Sequence, residues 1–289
     1  RRGPAVHPGG TGRHAGQGAV PARPGRQAHD RAGRAGQEHL RRRLRHRRRA
    51  AGHGLWPPAD PAHTAKVRIF TPTMELPFAG HPTIGTAIAL HDEGFGDAMV
   101  LELGVGPIPC QIAQGTASFT VANALTRFGT PDPAFTAAAL GLPAAAIVTE
   151  THPPVQAGVG LEFVMVELRD KADLDACAPV TDKFREGAAT YPSAIDFAVF
   201  AYTRRDNQIN ARMFAPLDNI PEDPATGSAC AALAALLTDT LGTDLSLRIL
   251  QGEAMGRPSH ISAQTKLGDP VAVTISGKAV RTMQGTLLV

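Results

Sequence analysis

From about Pro57 onward, apolar and polar positions recur with the periods of strands and helices. Residues 67–71 (VRIFT) alternate with the two-residue period of a half-buried strand. Residues 83–92 (TIGTAIALHD) read as a helix that opens just after a Gly-His-Pro turn. Strand patterns follow at 98–103 and 117–122, and a short helix at 133–141. Further strands are predicted at 161–168 (LEFVMVEL), 194–202 and 208–214. A strong Ala/Leu helix occupies about 226–239, and strand patterns close the chain at 247–251, 270–275 and 279–288. Residues 104–116 and 150–160 read as loops. Strands dominate and do not alternate regularly with helices, which predicts an α+β fold rather than a doubly wound sheet.

Residues before Pro57 carry no such period, and composition explains why. Residues 1–58 hold 14 Arg and no Lys against one Asp and one Glu, a local charge of +12. The remainder carries −9, so the overall +3 hides two different polymers. Six large apolar side chains in that opening stretch (Val6, Val20, Leu40, Leu44, Leu55, Trp56) cannot bury enough surface to offset ordering entropy. The reading is therefore disorder, or an out-of-frame translation of a G+C-rich gene, which would enrich Arg, Gly, Ala, Pro and His. The rival reading is a genuine basic arm for nucleic acid. With Trp56 its one aromatic, that arm has charge without stacking platforms, so nucleic acid is not the expected partner. No run reaches the ~18 apolar residues of a membrane span, and the start shows no secretory apolar core. Cys110, Cys177 and Cys230 are odd in number, far apart and outside any CxxC. That spacing excludes a disulfide framework or a zinc knuckle and fits a cytoplasmic location.

An internal echo carries the functional signal. Glu75-Leu-Pro77-Phe-Ala-Gly80-His81 opens the first helix, and Glu222-Asp-Pro224-Ala-Thr-Gly227-Ser228 opens the second. Glu, Pro and Gly recur at the same offsets, and a small apolar helix follows each copy. The pattern favours duplication into two similar lobes. A glycine before a helix lets a ligand reach free backbone N–H groups at the positive end of the dipole. Taken singly, Gly80 and Gly227 are turn glycines; as a matched pair they point to a substrate-binding cleft. Asp223 is either an N-terminal cap or a general acid/base. His81 either moves protons near neutral pH or bonds backbone in its turn. Ser228 either donates to substrate or caps its helix. Cys230 lies inside the helix and is read as packed rather than reactive.

Glu75–Ala87 (ELPFAGHPTIGTA), Glu222–Cys230 (EDPATGSAC) and Gln251–Ser259 (QGEAMGRPS) resemble three signature stretches of the PhzF family, in order, from about Pro57 to the C-terminus. The family is named for an isomerase of phenazine biosynthesis and has the diaminopimelate epimerase-like fold. The resemblance implies two pseudo-symmetric lobes, each a curled mixed sheet around a central helix, with the active site between them. Residues 57–125 plus about 278–289 would form the first lobe, short of strands, and 126–277 the second. It implies a homodimer, a small carboxylic-acid substrate, no cofactor and no metal. The reaction implied is proton transfer between carbons by a carboxylate pair. Asp223 and His81 fall on catalytic positions of the family; Gly80, Gly227 and Ser228 fall on substrate-binding ones. Ala79 and Pro224 take the places of the thiol pair of related epimerases, which speaks against two-thiol racemisation.

One departure stands out. The family's other key acid is a Glu upstream of the VRIFT-type strand, and residues 39–59 contain no Asp or Glu. Glu38 has neighbours (GQEHLRRR) unlike that stretch. A cofactor-independent isomerase, impaired in this chain, is the expectation. The alternatives are a non-catalytic protein with a nucleic-acid-binding arm and a sensor that binds a metabolite without turning it over.

Overall fold

This computed structural model describes residues 52–70 and 74–285. The described part of the first lobe contains β1 (Gly52–Trp56), β2 (Ala65–Phe70), the short β3 (Glu75–Leu76), helix α1 (Gly80–Asp92), β4 (Ala98–Leu103), β5 (Gly106–Ala113) and β6 (Thr116–Val121). The second lobe opens with β7 (Thr126–Gly129), α2 (Pro133–Ala139), β8 (Val155–Gly158) and β9 (Glu162–Glu167). Helices α3 (Lys171–Ala176) and α4 (Thr181–Thr190) come next, then β10 (Val199–Arg205), β11 (Gln208–Ala215) and β12 (Ile220–Asp223). Helix α5 (Gly227–Leu241), β13 (Ser246–Gln251), β14 (Ser259–Lys266) and β15 (Ala272–Gly277) complete it.

The fold is mixed α+β, built on one continuous curled sheet. Its order is β1-β2-β4-β5-β6-β15-β14-β13-β11-β10-β9-β8-β7, with β3 on β2 and β12 on β11. One unit occurs twice. In lobe one, β1 pairs antiparallel with β2, and β2 with β3; α1 follows; β4 returns parallel to β2. In lobe two, β10 pairs antiparallel with β11, and β11 with β12; α5 follows; β13 returns parallel to β11. Each copy ends in two more antiparallel strands, β5–β6 and β14–β15. The last strands pair with each other, Phe119 opposite Ile275, and that seam joins the lobes.

The two central helices sit inside the curl. Helix α5 is buried at every position from Gly227 to Thr238, as a helix apolar all round must be. Its alanines keep it slim enough for β8, β9, β14 and β15 to pack against it. Leu233 and Leu237 are fully buried, so truncating either to Ala costs about 2–5 kcal/mol. Lobe two has a second, outer core: Val164 and Val166 face away from Phe163 and Met165, toward Phe184 and Phe197.

Several local expectations change. Gly52–Trp56, in the stretch without a period, forms β1, because the open edge of β2 offers backbone partners and Leu55 packs on the core. Residues 1–51 lie outside the described residues. Residues 106–113 form a strand rather than a loop. Pro107 and Pro109 mask its alternation but precede Cys110, where pairing with β6 begins, so their missing N–H groups cost no ladder bond on that side. Residues 155–158 are likewise a strand. The expected strand at 279–288 is absent over 279–285, where Val280 and Met283 are 83% and 88% exposed; 286–289 lie outside the described residues.

Candidate active site

The N-termini of α1 and α5 meet. A Cβ built on Gly80 would stand 2.6 Å from the Gly227 Cα, and one on Gly227 would stand 3.0 Å from the Gly80 Cα. Only two hydrogens in place of two side chains allow that approach. Neither tip is capped by a side chain: Ala79 and Thr226, the flanking residues, make no such bond. The peripheral helices differ. Asp132 accepts from the Phe135 N–H of α2 at 2.8 Å, and Asp170 from the Asp173 N–H of α3 at 2.9 Å. The central helices therefore keep first-turn N–H donors available at the point where the lobes touch.

His81 reaches across that junction. Its Nδ1 lies 2.8 Å from the Ala225 carbonyl oxygen. A carbonyl only accepts, so Nδ1 carries the hydrogen, and Nε2 of the neutral ring keeps a free lone pair. Opposite, the Asp223–Thr226 turn is held by Gln251, which is fully buried. Gln251 Nε2 donates to the Asp223 carbonyl at 2.7 Å and to Thr226 Oγ1 at 2.9 Å, while its Oε1 accepts from the Thr226 N–H at 3.0 Å. Thr226 Oγ1 then donates its own hydrogen to Asp223 Oδ2 at 2.5 Å. One carboxylate oxygen of Asp223 is thus fixed in place by a chain that starts in the core. Gly252, at φ +81°, turns the next loop back onto Pro224; a Cβ there would meet the Arg257 carbonyl oxygen at 2.4 Å.

A cavity of about 590 Å3 opens at the junction. Gly80, His81 and Gly227 line it, with Ala225, Arg257 and residues of β14 and β15. Asp223 and Ser228 are not in its lining. Asp223 is partly buried one turn behind Ala225, and Ser228 is 6% exposed behind the α5 tip.

Sequence reasoning missed the residues that brace the tips. Arg68 makes a bidentate fork to Glu75, with Nε at 2.8 Å and Nη2 at 2.6 Å. Arg212 does the same to Glu222, with Nε at 2.9 Å and Nη2 at 2.8 Å. Each guanidinium also sits near the Phe two residues on, Arg68 at 5.0 Å from Phe70 and Arg212 at 4.8 Å from Phe214. The signal was present: Arg68-Ile-Phe70-Thr-Pro72 and Arg212-Met-Phe214-Ala-Pro216 extend the echo upstream, with three more residues before Glu222 than before Glu75.

This arrangement has relatives. A family model described as "Phenazine biosynthesis-like protein" (PhzC-PhzF) matches residues 54–285. The chain belongs to the PhzF family. This PhzF-family chain is 33% identical over 253 residues to an uncharacterized isomerase of Mesorhizobium japonicum, covering 81% of the chain and 83% of the relative. It is 34% identical over 229 residues to trans-2,3-dihydro-3-hydroxyanthranilate isomerase of Pseudomonas aeruginosa, covering 76% and 78%. Its fold matches the crystal structure of a PhzF-family phenazine biosynthesis protein of Bacillus anthracis, with a TM-score of 0.70 at 17% identity, covering 90% of this chain and 89% of that one. Membership makes it an isomerase.

The polar groups gathered at the tips of this PhzF-family isomerase that could do chemistry are His81, the first-turn amides and, outside the cavity lining, Asp223. The thiols contribute none: burial raises Cys110 and Cys177 to about 12 and pushes Cys230 higher. Among the described residues no three His, Cys, Asp or Glu are grouped to hold a metal. No helix of the described residues is long and apolar enough to cross a membrane.

Proposed function

We propose that the chain isomerises a small carboxylic acid without a cofactor, moving a proton between two carbons by general acid/base catalysis. The observation that carries this reading is the Gly80–Gly227 contact, which sets two uncapped helix tips against each other beside His81. The tip N–H groups would hold the substrate carboxylate. His81 Nε2 would take or return one proton, and Asp223, fixed by Thr226, would serve the second position. Dihydro-hydroxyanthranilate, the substrate named for the Pseudomonas relative, is the first compound to test.

In this reading the chain is slow, because the family's upstream Glu has no counterpart in residues 39–59. Residues 1 to about 56 would be an out-of-frame translation, and an in-frame version would restore the base. Losing one general base typically costs about 10²–10⁴-fold. The test is deuterium uptake from solvent into dihydro-hydroxyanthranilate and related acids, by both forms and by Asp223→Asn. The in-frame form is expected to be faster by that factor, and Asp223→Asn to lower exchange in it by a similar one. Equal rates in the two forms would remove the frame argument; unchanged exchange in Asp223→Asn would remove the mechanism.

A further inference from the structure

The lining of the cavity at the tips falls into two chemically distinct groups. One is Gly80, Gly227 and His81 of the tip junction. The other is a rim of Arg257, His260 and Lys278, carried by β14, the residue after β15 and the loop before β14. No Asp or Glu lines the cavity anywhere. None of the three rim side chains has a hydrogen-bonding or ion-pair partner among the described residues. Elsewhere most cations are neutralised, as Arg281 is by Asp92 and Glu93 a few residues past Lys278.

The rim is placed by the backbone, not by chance contacts. Arg257 leaves the tight loop that Gly252 closes: its N–H donates to the Gly252 carbonyl at 3.0 Å, and that glycine packs on Pro224. His260 and Ser262 stand two apart on one face of β14, and Ser276 of β15 pairs opposite Ser262. Lys278 follows directly on the end of β15. The loop that carries Arg257 follows directly on Gln251, the last residue of β13, which holds the Asp223 turn. The rim and the tip junction are therefore registered to each other through residues 251–257.

Resting on the acid/base function proposed above, we infer that this chain's own substrate carries a second acidic group, which dihydro-hydroxyanthranilate lacks, held at the Arg257–His260–Lys278 rim while the first lies at the helix tips. Cations in a concave site with no competing carboxylate gain from each charge-assisted bond to an anion, and a guanidinium can take a carboxylate with two N–H groups. The same charges oppose an ammonium group at the rim. A cavity of about 590 Å3 has room for a ring-sized acid bearing two such groups.

Calorimetric titration of the full chain with benzoate and with the three benzenedicarboxylates tests this. The diacids offer the second carboxylate at three spacings. At least one is expected to bind ten or more times more tightly than benzoate. The Arg257→Gln/Lys278→Gln double variant, altered only at exposed positions, should bind that diacid no better than it binds benzoate. The native thermal transition of the variant controls for folding. If benzoate binds and no diacid improves on it, the rim subsite is wrong and the carboxylate-at-the-tips reading stands. A diacid preference that survives in the double variant also overturns the rim. If none of the four acids binds, both readings fall.

Discussion

The two lobes repeat one topology yet support their helix tips unequally. Lobe one presents the α1 tip on a short hairpin whose Arg68–Glu75 fork is 41% and 42% exposed. Lobe two presents the α5 tip on a longer hairpin whose Arg212–Glu222 fork is 12% and 15% exposed. Arg212 does more than pair. Its Nη1 donates to the carbonyls of Leu174, Asp175 and Cys177, tying the hairpin to the end of α3. Lobe two also has β7–β9 beyond β10 and an outer core under α2 and α4. The described part of lobe one has no counterpart to these. Gln251 adds a further brace to the second tip. Equal topology thus sets where the tips meet, while burial decides how firmly each is held.

The largest expected effect tests that inequality directly. Arg212→Ala leaves Glu222 and three carbonyls without their donor in a largely buried site, a loss of about 3–5 kcal/mol. Arg68→Ala removes the matching fork where water can replace it, a loss of about 0–1 kcal/mol. Urea unfolding of both variants measures the pair. Similar losses would mean that burial does not distinguish the lobes.

The tip glycines give the next effect. In Gly80→Ala the new methyl meets three backbone atoms of the other tip, at 2.6, 2.9 and 3.2 Å, and backbone cannot rotate away. Overpacking of this kind costs about 1–3 kcal/mol. In Gly227→Ala the nearest atoms lie at 3.0, 3.4 and 3.7 Å, and Ala regains up to about 1 kcal/mol of helix propensity. Gly80→Ala should therefore lower the melting temperature more than Gly227→Ala. An inverted order would show that the α1 tip, not the more firmly braced α5 tip, is the less yielding.

How much of this was legible in the sequence depends on whether a feature is local. The two helices after Gly80 and Gly227 show as small apolar runs, and the echo of Glu, Pro and Gly placed both tips correctly. That Gly80 and Gly227 touch each other could not be read, because it depends on the β6–β15 seam bringing the lobes together. The roles of Arg68 and Arg212 were hidden for a similar reason. Each lies seven or ten residues from its Glu, across a hairpin whose register only the paired strands establish. Prolines hid β5, since a strand alternating Pro with Ile and Cys scores as loop until its one-sided pairing is known. Gln251 stood in a recognised stretch, but nothing in a sequence shows that a glutamine is wholly buried or which turn it bonds.

The smallest expected effects separate the lobes by pH. In lobe two, His152 is held by the Tyr202 hydroxyl at 2.7 Å from Nε2 and the Pro153 carbonyl at 2.7 Å from Nδ1. Desolvation lowers its pKa from 6.5, against the opposing pull of Glu167, with Arg204 and Arg127 adding to the lowering. A base lowered in the folded state binds its proton more readily when unfolded, so stability declines as pH falls below about 6.5. In lobe one, Glu102 accepts from the Ala59 and Asp60 N–H groups at 2.8 and 2.9 Å and from His63. Those bonds hold it at about 2, against an ordinary 4.5. An acid lowered in the folded state stabilises above its ordinary value and loses that contribution as pH falls toward 2. His152→Gln should flatten the stability curve just below pH 6.5 and leave the lower window alone. Glu102→Gln should flatten only the window between 4.5 and about 2. Unfolding free energies measured from pH 7 to pH 3 would show whether acid weakens lobe two first, and a single shared window would contradict the assignment of each group to its own lobe.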